Sequence, residues 1–161
     1  MLYSAIMKIS EIIDAMQEEI VARGCFIVDV SVSKDNDVEI VIESEHGTVS
    51  LDDCVELSRC FEEKFDRETE DYSLTVGSAG LDQPFKVLKQ YVKAIGTDVQ
   101  VLLKDGRKLK GTLTEADENG IRLKYTAREA VEGKKKKVTV EHEDIFPMET
   151  TNAVIPWIKT E

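Results

Sequence analysis

Tyr72-Ser73-Leu74-Thr75-Val76-Gly77-Ser78-Ala79-Gly80-Leu81-Asp82-Gln83-Pro84-Phe85 is the stretch on which the reading of this chain turns. It begins as a short strand, passes through a glycine-bearing turn and reaches a proline that predicts the start of a helix. Charge changes character on either side of it. Residues 1–85 hold 6 Lys and Arg against 20 Asp and Glu, a net of −14, whereas residues 86–161 hold 15 against 12, a net of +3. A seam between two such halves predicts two domains, 1–83 and 84–161, with two kinds of partner.

Each half has roughly 80 residues, enough to fold without a disulfide or a metal. A chain that is 42% hydrophobic and 33% charged is globular in composition. Its apolar runs fall far short of the ~18 residues that suggest a membrane span. The segment Met1 to Ile6 lacks the basic start of a signal peptide, so the expected location is cytoplasmic; Met1 and Met7 are both candidate starts. The three cysteines, Cys25, Cys54 and Cys60, have no Cys-x-x-Cys spacing, and His46 and His142 stand far apart. They read as reduced thiols in apolar surroundings, with no metal and no cofactor expected.

Ahead of the seam, Ile9, Ile12, Ile13, Met16 and Ile20 recur at helical spacing, and Gly24 follows as a C-terminal cap. Cys25 to Val32 reads as a strand, Lys34 to Asp37 as a polar turn, and Val38 to Glu43 as an alternating second strand. Ser50 caps a second helix, with Asp52 and Asp53 at its positive end and Leu57, Phe61 and Phe65 along its apolar stripe. Tyr72 to Val76 closes the series. Helix, strand, strand, helix, strand makes a two-layer α/β domain of the KH-like βαβ type. The Gly-x-x-Gly clamp of RNA-binding KH domains is missing, so the layout alone does not imply RNA binding.

Beyond the seam, Pro84 to Lys93 reads as a short helix with Phe85, Leu88 and Val92 on one face. Strands are then expected at 99–103, 108–114, 121–125 and 137–141, with a weaker fifth at 152–157, punctuated by Asp105-Gly106, Asn119-Gly120 and Gly133. Gly111 within a strand suits a sharp bend. Five short strands predict a small all-β barrel, Sm-like or SH3-like. The chain as a whole is therefore read as α+β.

In this arrangement the chain resembles the bacterial ribosome maturation factor RimP family. Three segments carry the resemblance: Val49 to Arg59 at the start of the second helix, the seam itself, and the pattern from Gly96 through Asp105-Gly106, Gly111 and Leu123. The family usually writes the seam as Ser-Pro-Gly followed by Leu-Asp-Arg-Pro; here Ala79 replaces the proline and Gln83 the arginine. The turn is less rigid for the first change, and a charge able to touch RNA or a carboxylate is lost by the second. Asp117 falls where Sm proteins carry an aspartate, but Ile121 occupies the place of their base-reading asparagine, so no uridine pocket is expected.

The resemblance implies a non-enzymatic factor for small-subunit assembly. Such a factor binds the immature small ribosomal subunit and one of its basic proteins, near the decoding centre, through both domains and the hinge between them. Hinge and partner-binding candidates are then Ser78, Gly80, Leu81, Asp82, Gln83 and Pro84. Candidates for rRNA contact are Lys104, Arg107, Lys108 and Lys110 together with Lys134, Lys135, Lys136 and Lys137. Phosphate contacts of this kind are blind to sequence and sensitive to salt.

Each feature also has a simpler reading. The acidic half keeps a domain soluble and monomeric, and the lysine run makes a solvated hairpin tip. No aromatic residue is interleaved with these lysines, so base stacking is not expected. Asp52-Asp53 is explained by capping, and Asp35, Asp37 and Glu39 lack the glycine and terminal glutamate of a calcium loop. No phosphate-cradling loop or nucleophile elbow occurs, so an enzyme is disfavoured. Two further readings stay open: a general RNA-binding regulator acting through the barrel, and an acidic protein-interaction adaptor.

Overall fold

The isoleucine periodicity of the first half produces α1 (Ile9–Ala22), which buries Ile12, Met16 and Ile20 completely. It stops where Gly24 takes a φ of 71°, a left-handed conformation that glycine adopts without steric cost. The structure, a computed structural model, describes residues 7–80 and 82–157 of the chain. The chain divides into two units, Met1–Ala79 and Gly80–Glu161.

In the first unit α1 leads into the hairpin β1 (Cys25–Val32) and β2 (Asp37–Ser44), then α2 (Leu51–Lys64) and β3 (Ser73–Ser78). The sheet order is β1-β2-β3, with β1 antiparallel and β3 parallel to β2. A parallel neighbour requires a crossover, and α2 supplies it. The Ser50 hydroxyl accepts from the Asp53 N–H at 3.0 Å and so caps α2 as its sequence predicts. Phe61 lies at the centre of the core, its ring 4.5 Å from that of Phe65 and 5.0 Å from that of Tyr72. Val38, Ile40 and Ile42 of β2 complete the buried layer.

One polar residue belongs to this frame. Asn36, at a φ of 59° in the β1–β2 turn, is buried. Its side chain accepts from the Met7 N–H at 2.9 Å and donates to the Asp71 carbonyl at 3.3 Å, while its own carbonyl accepts from Ser73 N–H at 3.0 Å. The turn thus ties the approach to α1 to the start of β3, a role that a polar turn sequence does not reveal.

The second unit is a five-stranded antiparallel sheet of order β7-β6-β5-β4-β8. Its strands are β4 (Asp98–Leu103), β5 (Lys108–Ala116), β6 (Gly120–Glu129), β7 (Val138–Pro147) and β8 (Thr151–Pro156). This is the expected all-β domain, a meander whose last strand returns to its first. Gly111 makes the bend possible: a Cβ there would lie 2.3 Å from the Lys124 carbonyl oxygen. Bulges near Thr114 in β5 and Asn152 in β8 add curvature. A 3-10 turn, Met148–Thr150, joins the two outer strands. It is pinned by Met148 N–H on the Asn119 carbonyl and by Thr150 carbonyl on Lys104 N–H, both at 2.9 Å.

The short helix after the seam departs from its expected form. α3 spans only Leu88–Lys93, and Leu88 and Val92 are 41% and 50% exposed. Phe85 N–H donates to the Val154 carbonyl at 2.9 Å, which holds this stretch against β8 and out of a helix. Pro84 therefore does not open the helix. Phe85 instead packs edge-on to Tyr91 over the barrel core, and the buried Gln90 accepts from the Lys86 and Val87 N–H groups. The strands β6 and β7 also run longer than expected. Polar contacts run between them: Lys124 pairs with Glu141 at 2.9 Å, and Glu129 and His142, both in the added lengths, are hydrogen-bonded at 2.5 Å.

Candidate functional site

The residues that join the units are nearly all at the surface. Ser78 ends β3 opposite Ile42, and the Ala79 N–H extends that ladder by donating to the Ile42 carbonyl at 3.2 Å. Gly80, Asp82, Gln83 and Pro84 are exposed; Leu81 lies outside the described residues. Gly80 carbonyl accepts from Gln83 N–H at 3.2 Å, closing a turn in which Gln83 Nε2 donates to Asp82 Oδ1 at 3.3 Å. A side chain at Gly80 would meet both of those residues at 3.0 Å, so the turn uses glycine for space. Gln83 takes up a local contact with its neighbour.

The basic candidates occupy two loops and the start of β5 in the second unit, and all eight are exposed. Lys104 and Arg107 flank the β4–β5 turn, and Lys108 and Lys110 open β5. Lys134 to Lys137 lie in the loop between β6 and β7. Because β5 and β6 are antiparallel, both loops lie beyond the Gly111–Tyr125 end of their ladder. The topology therefore places at one end of that ladder two charged segments some twenty-five residues apart in the chain. Arg107 is partly committed: its Nε donates to Asp105 Oδ2 at 2.9 Å, and hydrogen bonds from Arg107 hold the Asp105 carboxyl below its usual range.

At the other end of that ladder the charge reverses. A shallow groove of about 930 Å³ opens beside the β5–β6 turn. Ile95, Ile145 and Met148 give it an apolar floor, and Glu115, Asp117, Glu118 and Glu149 stand around it with one cation, Arg122, whose Nε pairs with Glu115 Oε2 at 3.3 Å. Ile145 is 63% exposed. Asp117 is occupied with the turn itself, its Oδ1 accepting from Asn119 and Gly120 N–H at 2.8 and 3.0 Å. That bonding accounts for the aspartate in structural terms. An apolar floor ringed by carboxylates is suited to a basic chain with aliphatic anchors.

The first unit shows a related combination on α2, where Leu51 (80% exposed) and Val55 (46%) stand one turn apart amid Asp52, Asp53 and Glu56. The Ser50 hydroxyl, and after it Arg23, hold the Asp53 carboxyl below its usual range. Burial raises the thiols of Cys25, Cys54 and Cys60 above the ordinary cysteine value, which disfavours the thiolate that nucleophilic chemistry needs. Among the described residues no cluster of three or more His, Cys, Asp or Glu is arranged to hold a metal. No described helix is long and apolar enough to cross a membrane.

No aromatic residue is interleaved with the lysines in sequence, but one of them meets a ring in the fold. Lys110 Nζ lies 4.9 Å from the centre of the Trp157 ring. The two are 47 positions apart and meet because β5 and β8 flank β4 on either side. Spacing along the chain could not have shown this.

Comparison with known proteins identifies the fold's relatives. Residues 8–82 match the RimP N-terminal domain. A ribosome maturation factor RimP from Christiangramia forsetii is 36% identical over 140 residues, covering 87% of this chain and 89% of that protein. The ribosome maturation factor RimP of Porphyromonas gingivalis is 38% identical over 112 residues, 70% of this chain and 73% of its own. That of Flavobacterium psychrophilum is 31% identical over 119 residues, 74% and 76%. The similarity extends through both units, and the chain belongs to the ribosome maturation factor RimP family.

Proposed function

We propose that this protein is a cytoplasmic, monomeric assembly factor for the small ribosomal subunit, acting by binding and positioning without bond chemistry. The observation that carries this reading is the division of charge within a RimP-family chain: a net of −14 in residues 1–85 against +3 in residues 86–161. Ribosomal proteins are basic and rRNA is a polyanion, so one factor that engages both profits from surfaces of both signs. The acidic first unit, with Leu51 and Val55 exposed among carboxylates, is the surface for a basic small-subunit protein. Complementary charge of this kind accelerates encounter more than it tightens the complex. The lysines of the two barrel loops contact rRNA phosphates. Ser78, Gly80, Leu81, Asp82, Gln83 and Pro84 form the hinge between the two engagements.

Sedimentation of cell extract through a sucrose gradient tests the reading. The protein is expected to travel with free small subunits and to be absent from complete ribosomes. If it stays at the top of the gradient even at low salt, the assembly role fails. If it binds free RNA fragments but no subunit, it is a general RNA-binding regulator instead. For the loop, replacing Lys134 to Lys137 with glutamate should weaken RNA binding and reduce the slope of log K against log salt by about 0.7 to 0.9 for each phosphate that is no longer neutralised. An unchanged slope would remove the loop from the interface.

A further inference from the structure

Trp157 is the sole tryptophan of the chain. Strand alternation places Lys108 and Lys110 of β5 on the sheet face opposite the buried Val99, Val101 and Val154. On that outer face Lys110 pairs across to Gln100 of β4, and Gln100 pairs across to Ile155 of β8. Trp157 lies two positions beyond Ile155, and its N–H donates to the Asp98 carbonyl at 3.1 Å, so the backbone continues in step with β4 past the end of β8. The ring is half-buried and the lysine exposed, with the ammonium 4.9 Å from the ring centre. A large aromatic ring, an amide and two cations thus share one sheet face with a carboxylate beside the ring, that of Asp98, whose Oδ1 accepts from the Thr112 hydroxyl at 3.0 Å.

We propose that this face binds single-stranded RNA, with one unpaired base stacked on Trp157 and the flanking phosphates held by Lys108 and Lys110. The inference rests on the reading that the basic end of the barrel contacts RNA, and adds to it the class of RNA and the group that holds the base. Lysines alone recognise phosphate and would accept duplex and single strand alike. An indole selects for a base free of a helix, because only such a base exposes its face, and it does so with little regard to sequence. The contact between Lys110 and the ring shows that a cation reaches the indole in the free protein. An exposed ammonium–indole contact is weaker than a stacked base, so the base displaces the ammonium and leaves it free to meet the adjacent phosphate.

The single tryptophan makes the test direct. The full chain is titrated with a labelled short oligoadenylate while indole emission and label anisotropy are followed together. Quenching should saturate along with anisotropy, and an RNA duplex that binds should leave the emission unchanged. Trp157→Leu should weaken single-strand binding roughly tenfold at every salt concentration without altering the salt slope, since the indole carries no charge. Trp157→Phe, which keeps a ring, should lose much less, and its result decides the matter if circular dichroism shows the Leu variant unfolded. Lys108→Gln with Lys110→Gln should lower the slope. Binding seen by anisotropy with no change in emission, or a folded Leu variant that binds like the parent, would overturn the proposal while leaving the RNA-contact reading intact. Absence of RNA binding by either signal would overturn both, and quenching by an oligoglutamate peptide alone would assign the face to an acidic protein instead.

Discussion

In the first unit the acidic residues are spread over both helices and the sheet, and the unit has one electrostatic character throughout; in the second, charges of both signs are present and the topology sorts them. Glu115, Asp117, Glu118 and Glu149 gather around the groove at the β5–β6 turn, while Lys104, Lys108, Lys110 and Lys134 to Lys137 occur beyond the opposite end of the β5–β6 ladder. A net of +3 over residues 86–161 conceals this sorting. Net charge describes a surface well when the charges are uniform and poorly when strand order collects them at separate ends. The units differ in construction too. Two helices covering one sheet face build the first core, and a bent antiparallel sheet builds the second.

If the units are as separate as that contrast implies, each can be damaged by itself. The largest effect is expected from Phe61→Ala, which empties the centre of the first core and should destabilise that unit by about 3–5 kcal/mol. Urea unfolding followed by tryptophan emission, which reports only on the second unit, should barely move, while circular dichroism shows an early transition. A joint shift of both signals would mean that the two cores unfold as one. Gly111→Ala is the reciprocal change. Its Cβ would press on the Lys124 carbonyl at 2.3 Å, and overpacking of this kind costs about 1–3 kcal/mol, now read in the tryptophan signal.

Tyr125 tests the polar ribbon of the second unit. Its hydroxyl donates to Asp144 Oδ2 at 2.6 Å, and that bond, with burial second, pushes the phenol up to about 12. A folded pKa above the unfolded value of 10 means that the folded state holds the proton more tightly. The associated stability is therefore complete below pH 10 and is lost as pH rises towards 12. Tyr125→Phe should cost about 1–2 kcal/mol at neutral pH and abolish the tyrosinate absorbance step near pH 12. Retention of that step would assign it to another tyrosine.

The smallest change is Ser50→Ala, which removes the cap of α2 at about 1 kcal/mol, visible only in the first unit's transition. It should also let the Asp53 pKa return towards its ordinary value, because the Ser50 hydroxyl is the leading cause of its depression. A carboxyl depressed in the folded state stabilises above its unfolded pKa and ceases to do so as pH falls through the folded one. The variant should accordingly lose less stability than the parent between neutral and acid pH.

Local rules made much of this molecule legible. The repeat of Ile12, Met16 and Ile20, the Ser50 cap and the turn glycines 24, 106 and 133 each depend on neighbours a few residues away, and each takes its expected place. The helix after the seam was less legible. The bond from Phe85 N–H to Val154 carbonyl overrides its local propensity, and no window around Pro84 contains that partner. The outer parts of β6 and β7 were hidden because polar contacts such as that between Glu129 and His142 line them where an apolar period would normally mark a strand.

By itself, then, the sequence determined the two cores, the acidic character of the first unit and the family pattern, because period, caps and turns are local and composition needs no coordinates. Only the tertiary structure decided that Asn36 is a buried tie, that carboxylates collect around an apolar groove, and that Trp157 lies beside Lys110. Each of these depends on contacts between residues far apart in the chain. Strand order and register alone bring such residues together.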